Sequence, residues 1–283
     1  MPDFPRSFAT GQPIGYSAGA PSSLRSCGVS NALVVAVGGF DPSGGAGVVR
    51  DLLTARTLGA RARLVPTAWT AQSAATGVRS IEPRQPIALA AAIVDALDQS
   101  PRSTAVKIGM IPDAATVQAV LDALRSFAGP VVVDPVLGAS SGGALYRGDV
   151  NQLLALAARA TLVTPNAGEA ERLTGEPVPN LDGAARAGRA LIQAGARAAL
   201  IKGGHLSGVE AIDLLVTAQG TRAFAAPRLS GPSVRGTGCA LATAIAVALA
   251  SGQDLETAIS DAKAWLHQAL RQPLSVGDEW HIS

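Results

Sequence analysis

Apolar residues in this chain fall into two kinds of run, and the two kinds take turns. Short continuous stretches rich in Val, Ile and Leu read as strands buried on both faces: 32–37, 63–69, 105–109, 130–134, 161–164 and 198–203. Longer Ala- and Leu-rich stretches with apolar positions at helical spacing lie between and after them, near 46–58, 86–99, 113–127, 149–159, 167–174, 182–195, 239–251 and 254–270. Strand and helix in alternation predict an α/β fold with a mostly parallel central sheet covered on both faces. No internal repeat and no linker interrupts that stretch. The predicted organisation is a flexible, Pro/Gly/Ser-rich extension over 1–31, one domain over 32–273 and a short C-terminal tail over 274–283. In such a sheet ligands sit beyond the carboxyl ends of the strands, so the residues that follow each strand carry the chemical information.

Two glycine-rich turns stand in such places. The run GGFDPSGGAG, from Gly38 to Gly47, follows the first strand; its spacing is not GxGxxG, and no lysine of the chain follows a glycine as a Walker A motif requires. Asp51 in the next helix and Gln72 after the second strand could both point back toward this loop. An amide there suits a flat heterocycle bearing an amino group, while Asp51 also reads as a helix acid favoured by the dipole. The second turn, RGTGC at 235–239, leads into the helix near 239–251. Unsatisfied N–H groups at a helix start bind anions, glycine lets the backbone approach closely, and a cysteine in the first turn has its thiolate favoured by the same field. The same residues also read as a plain glycine-rich cap beside a buried cysteine.

Composition narrows the partners. A formal net charge of +2, with scattered basic residues, gives no electrostatic case for nucleic acid or an anionic membrane, and no apolar run reaches spanning length. Cys27 and Cys239 are the two cysteines, so no disulfide framework or CxxC metal site forms and a cytoplasmic location is expected. Of 23 basic residues only Lys107, Lys202 and Lys263 are lysines, which marks each as a place where a compact ammonium serves better than a guanidinium. Lys202, beside Gly203 and Gly204, reads as a phosphate contact, and Lys263 as structural or at a pocket rim. Asp134 at the end of PVVVD and Glu169 in TPNAGEAE supply carboxylates near phosphates, which is how Mg²⁺ is usually held. Either acid could equally cap the element beside it.

DPSGGAG, TAQ, KIGM, VVVDPV, TPNAGEAE, KGGH, RGTGC and the helix around Ala262 and Lys263 together resemble, in order from about Ala32 to Leu270, the hydroxymethylpyrimidine and phosphomethylpyrimidine kinases of thiamine biosynthesis, within the ribokinase-like superfamily. The resemblance implies a three-layer α/β/α sandwich and ATP- and Mg²⁺-dependent phosphorylation of 4-amino-5-hydroxymethyl-2-methylpyrimidine and of its monophosphate. It implies that Gly236, Thr237, Gly238 and Cys239 form the anion hole for the transferring phosphoryl group, with Cys239, as thiolate, the base and Lys202 a phosphate contact. Gly38, Gly39, Asp51, Gln72 and Met110 are expected around the pyrimidine. Asn166, Glu169, Asp213, Thr237 and Lys202 are expected around the nucleotide, Asp134 and Glu169 around the metal, and the molecule as a homodimer. The chain departs from the family at Ser140 and Gly143, where lysine and aspartate are frequent, and at Arg235, where histidine is frequent. Arg235 is the candidate to supply the charge missing at Ser140, which the second phosphorylation would need. Two other readings stand beside this one: a pyridoxal or pyridoxine kinase, disfavoured by Gln72, and a pyrimidine- or nucleotide-binding regulator without turnover.

Overall fold

The computed structural model describes residues 31–73, 77–139, 142–204, 208–277 and 279–283. All of the expected N-terminal extension except Asn31, including Cys27, and also Ser140 lie outside the described residues. The chain enters at β1 (Leu33–Phe40) and continues through α1 (Gly47–Thr57), β2 (Arg61–Ser73), β3 (Gly77–Pro83), α2 (Pro86–Leu97), β4 (Thr104–Ile108), α3 (Ala114–Ala123) and β5 (Val131–Val133). It proceeds through α4 (Val150–Arg159), β6 (Leu162–Val163), α5 (Ala167–Thr174), α6 (Leu181–Gln193), β7 (Ala198–Ile201), β8 (Glu210–Thr217) and β9 (Gly220–Pro227). It closes with β10 (Val234–Arg235), α7 (Thr237–Ala250), α8 (Leu255–Ala269), β11 (Leu274–Val276) and β12 (Glu279–His281).

Nine strands form one sheet in the order β3-β2-β1-β4-β5-β6-β7-β8-β9. From β2 to β7 neighbours run parallel, and β3, β8 and β9 add antiparallel pairs at the two edges. Because side chains alternate across a strand, β1 feeds two cores. Val34 packs with Ala105, Val132, Leu200, Ile245 and Ile259, the layer that holds α1, α7 and α8. Val35 and Val37 pack with Val106, Ile108, Ile93, Leu156 and Leu191, the layer that holds α2 to α6. Burial on both faces explains why the central strands read as continuous apolar runs, and the architecture is the expected three-layer α/β/α sandwich.

The chain order reverses about β1, with β2 on one side and β4 on the other, and a crevice opens beyond the carboxyl ends of the strands at such a switch point. The six predicted strands and eight predicted helices are all present. Strands β3, β8 and β9 were not foreseen; the two edge strands, β3 and β9, carry polar residues on exposed faces and lack a buried run. The segment set apart as a tail over 274–283 folds as β11 and β12, which join β10 in a three-stranded sheet. His281 and Ile282 there are only 5% and 2% exposed. Arg50 of α1 donates to the Ile282 carbonyl from a distant part of the chain, while the polar partner of His281 is its neighbour Glu279.

Candidate active site

Helix α7 begins at the mouth of that crevice without a side-chain cap and without an acid in its first turn. Its N-cap, Gly236, has φ 74°, and a Cβ there would lie 2.1 Å from the Gly45 carbonyl oxygen, so the turn requires glycine. At Gly238 a Cβ would meet Lys202 Nζ at 3.1 Å and Asp134 Oδ2 at 3.5 Å. Gly236, Thr237, Gly238 and Cys239 thus present the uncapped first turn to a lysine and an aspartate across a cavity of about 710 Å³, which all six residues line. A positive helix end beside an ammonium can attract an anion.

Around that turn the acids are already engaged. Lys202 Nζ lies 2.7 Å from Asp134 Oδ1, which also accepts from Thr164 Oγ1 at 3.1 Å. Burial would push the Asp134 carboxyl up, but Lys202, Lys107 and these hydrogen bonds hold it below its ordinary value. Lys202 is likewise disfavoured by burial, yet Asp134 and Glu169 raise it above the usual lysine range, so the ammonium is charged. Asn166 and Glu169 form a capping box on α5: Asn166 Oδ1 accepts from the Glu169 N–H and Glu169 Oε2 from the Asn166 N–H. The capping role is therefore real, and both residues still line the cavity. Burial pushes the Glu169 carboxyl up despite the pull of Lys202. Asp134 Oδ2, close to Gly238, and Glu169 give the one or two carboxylates that a phosphate-borne Mg²⁺ needs. No cluster of three or more His, Cys, Asp or Glu occurs among the described residues, so the donor set fits a metal carried in by phosphates rather than a cage of protein ligands.

Beneath Cys239 the structure corrects one expectation. Asp51, expected against the pyrimidine, is fully buried and does not line the cavity. Both its carboxylate oxygens lie 2.9 Å from Lys107 Nζ, and Oδ1 also accepts from Thr243 Oγ1 at 2.8 Å. Lys107 points to this layer because Val106 and Ile108 on either side point to the other, and a Cβ at Gly109 would come within 2.8 Å of Nζ. Burial alone would lower the Lys107 ammonium, but Asp51 and, more weakly, Cys239 and Asp134 hold it charged. Asp51 is the fifth residue of α1, so it is not a first-turn acid either.

A second correction concerns the thiol itself. Burial pushes Cys239 above the ordinary cysteine range, and Asp51 and Asp134 add to that, while Lys107 and a hydrogen bond from the Gly47 N–H oppose it. The net balance favours the thiol, against the thiolate expected from the helix dipole.

The two ends of the cavity differ. At one end Gly39, Thr70, Gln72 and Met110 line it; Gln72 Nε2 donates to Thr70 Oγ1 at 3.2 Å, and Thr70 Oγ1 to the Phe40 carbonyl at 2.9 Å. Met110 packs with Ala68, Ile81 and Leu145 in a small apolar cluster. Gly38 lies beneath, against the Gly109 backbone, and does not line the cavity. At the other end Leu266, His267 and Leu270 of α8 line it with Asp213 and Lys263. Asp213 accepts from the Gly203 N–H at 2.9 Å and from Lys263 Nζ at 2.6 Å, so this acid holds the KGG turn to α8. Thr164, Thr243 and Thr70 were not foreseen; each is one hydroxyl that matters only through a partner brought in by folding.

Arg235 lines the cavity, but both its terminal nitrogens are taken by carboxylates, and its buried Nε has no partner among the described residues. Its Nη1 lies 2.7 Å from both Glu279 oxygens and its Nη2 3.1 Å from Asp41 Oδ2. The expected compensation for Ser140 is thereby answered by two carboxylates.

A family model described as phosphomethylpyrimidine kinase matches residues 41–282. The chain is 40% identical over 245 residues to a hydroxymethylpyrimidine/phosphomethylpyrimidine kinase of Rhizobium meliloti, covering 84% of this chain and 90% of that one. It is 37% identical over 246 residues to the protein of the same name from Escherichia coli, covering 86% and 91%. Among solved structures, phosphomethylpyrimidine kinase from Clostridium difficile 630 superposes with a TM-score of 0.73 at 32% identity, over 84% of this chain and 99% of that one. Pyridoxal kinase from Staphylococcus aureus, in complex with AMP-PCP and pyridoxal, gives 0.79 at 25% identity, over 89% and 92%.

Proposed function

The chain belongs to the phosphomethylpyrimidine kinase family, and from that premise we propose how its residues divide the work. It is an ATP-dependent kinase of thiamine biosynthesis that phosphorylates 4-amino-5-hydroxymethyl-2-methylpyrimidine and then the monophosphate. The observation that carries the site reading is the uncapped start of α7 beside Lys202 and Asp134 in one cavity, whose lining also includes Gln72 and Met110 and, from α8, Leu266 and His267. The γ-phosphoryl group of ATP occupies the N–H groups of residues 236–239, where Lys202 offsets its charge. The pyrimidine lies toward Gly39, Gln72 and Met110, its amino edge paired with the Gln72 amide. The nucleotide lies toward Asn166, Asp213 and α8.

In the first step the acceptor hydroxyl oxygen forms a bond to the γ-phosphorus, the bond to the β-bridging oxygen breaks with its electron pair leaving on ADP, and the hydroxyl proton passes to the Cys239 thiolate, giving the thiol. Charge on the phosphoryl oxygens is stabilised by preorganised donors that need no reorganisation during the reaction. Asp134, with Glu169, would hold Mg²⁺, which would supply neutralisation of the phosphate charge. For the second step the acceptor is itself an anion. With Arg235 paired to Asp41 and Glu279 and Lys202 to Asp134, the positive end of α7 is the field left for it.

A steady-state assay with Mg²⁺–ATP and product masses, comparing the pyrimidine alcohol, its monophosphate and pyridoxal, tests the reading. Turnover of both pyrimidines is expected. Preference for pyridoxal would move the substrate to the ring that the Staphylococcus aureus fold relative holds, and absence of turnover with all three would leave a binding protein.

A further inference from the structure

The residues that shape the anion hole are tied to the far C-terminus through one buried guanidinium. Arg235 immediately precedes Gly236 and is 7% exposed. Nη2 reaches Asp41 Oδ2, whose other oxygen accepts from the Ser43 N–H at 3.0 Å and so fixes the turn of the glycine loop. Nη1 reaches Glu279 on β12, and Glu279 Oε2 lies 3.1 Å from His281 Nε2. A second arginine repeats the pattern: Arg50 of α1 donates to the Ile282 carbonyl at 2.9 Å and to the Gly44 carbonyl at 3.4 Å. Contact between the parts is close enough to leave no slack. A Cβ at Gly236 would meet Gly45 O at 2.1 Å, and one at Gly45 would meet His281 Nε2 at 2.9 Å. Glycine loop, helix start and C-terminal strand therefore share one packed junction.

Resting on the kinase reading above, we propose that Arg235, with Asp41 and Glu279, is a positioning residue: a three-way ionic latch through which the C-terminal strand holds the glycine loop against the start of α7. Its work is geometric. Both terminal nitrogens are spent on carboxylates, one from each segment that must stay in register, and a buried guanidinium fork fixes direction as well as distance. Asp41 is buried beside it and Glu279 half-buried, so its two terminal nitrogens face carboxylates rather than the substrate. The acceptor is held by the loop on one side and receives the phosphoryl group from the helix on the other, so a small displacement between them acts on the transfer step more than on binding.

Three variants read the latch. E279Q keeps the shape of the side chain and drops its charge, R235K keeps the charge and loses the fork, and the double variant R235K/E279Q separates coupling from addition. The expected result, on protein shown folded by circular dichroism, is a fall in kcat of about 10- to 100-fold for alcohol and monophosphate alike, with KM within about twofold. The double variant should lose no more than the worse single one, and amides of residues 44–47 and 236–238 should exchange hydrogen faster in each. Unchanged kcat in folded E279Q overturns the latch. So does a rise in KM confined to the monophosphate in R235K, which would make Arg235 a direct acceptor contact, and so does unaltered amide exchange. If the wild-type chain phosphorylates none of the acceptors the kinase reading fails, and the exchange measurement still decides the latch.

Discussion

Cys239 sits where two opposing influences meet. The Gly47 N–H and the Lys107 ammonium favour the thiolate, while burial and the carboxylates of Asp51 and Asp134 favour the thiol, and the second group prevails. If the thiolate accepts the substrate's proton, the competent form is the minority at neutral pH. A group with a raised pKa loses its proton late, so kcat/KM should climb about tenfold per pH unit through neutrality and level off above the ordinary cysteine value of about 8.5. A flat profile between pH 6 and 9 would remove Cys239 as the base. Replacement by alanine is expected to lower kcat by about 10² to 10⁴, with the monophosphate and alcohol affected alike. Gln72, Met110 and Cys239 all line the cavity, and each stands at a place marked locally in the sequence: near the end of β2, just after β4 and in the first turn of α7. Asp51 was misplaced because its partners, Lys107 and Thr243, arrive from a strand and a helix 56 and 192 residues away.

Among the elements, α7 carries the site by what it lacks. Helices α3, α4, α5, α6 and α8 each begin with an Asp or Asn whose side chain accepts a first-turn N–H. At α7 a left-handed glycine takes that position and no side chain spends the donors. Gly236→Ala should therefore do two things at once. The backbone conformation alone costs about 1–3 kcal/mol, and the new Cβ has to displace the Gly45 carbonyl. Thermal melting should show a lower midpoint, and kcat should fall by about 10² to 10³, the usual loss when an oxyanion donor is misplaced. A variant that melts earlier but turns over normally would separate the turn from the chemistry. The turn was readable as RGTGC, whereas the short strand β10 before it was not, since two residues carry no periodicity and pair only with β12.

For the molecule as a whole, layering places everything else. Helices α1, α7 and α8 share one face of the sheet, so the loop before α1 and the start of α7 meet over the same strand ends. No helix among the described residues is long and apolar enough to cross a membrane. Trp69 on β2 is 52% exposed, with its ring 4.7 Å from that of Phe40, and β3 leaves a sheet edge beside it. An exposed indole next to an open edge supports the expected homodimer. Light scattering at micromolar concentration should give twice the mass of the chain, and Trp69→Arg should return it to a single mass. A single mass for the wild type would remove the dimer.

What the sequence determined by itself was the alternation of strand and helix, the parallel centre of the sheet, and the glycine-rich turns after β1 and before α7. Each of these depends on side-chain periodicity or on a backbone conformation that only certain residues tolerate, and both are local. Tertiary structure alone decided which charges are spent. Asp51 is closed off by Lys107, Arg235 by Asp41 and Glu279, Asp213 by Lys263, and the last residues of the chain are folded against the loop that precedes α1. An ion pair has no signature along the chain. It exists only when burial removes water and brings two distant residues within about 3 Å, where desolvation makes pairing obligatory.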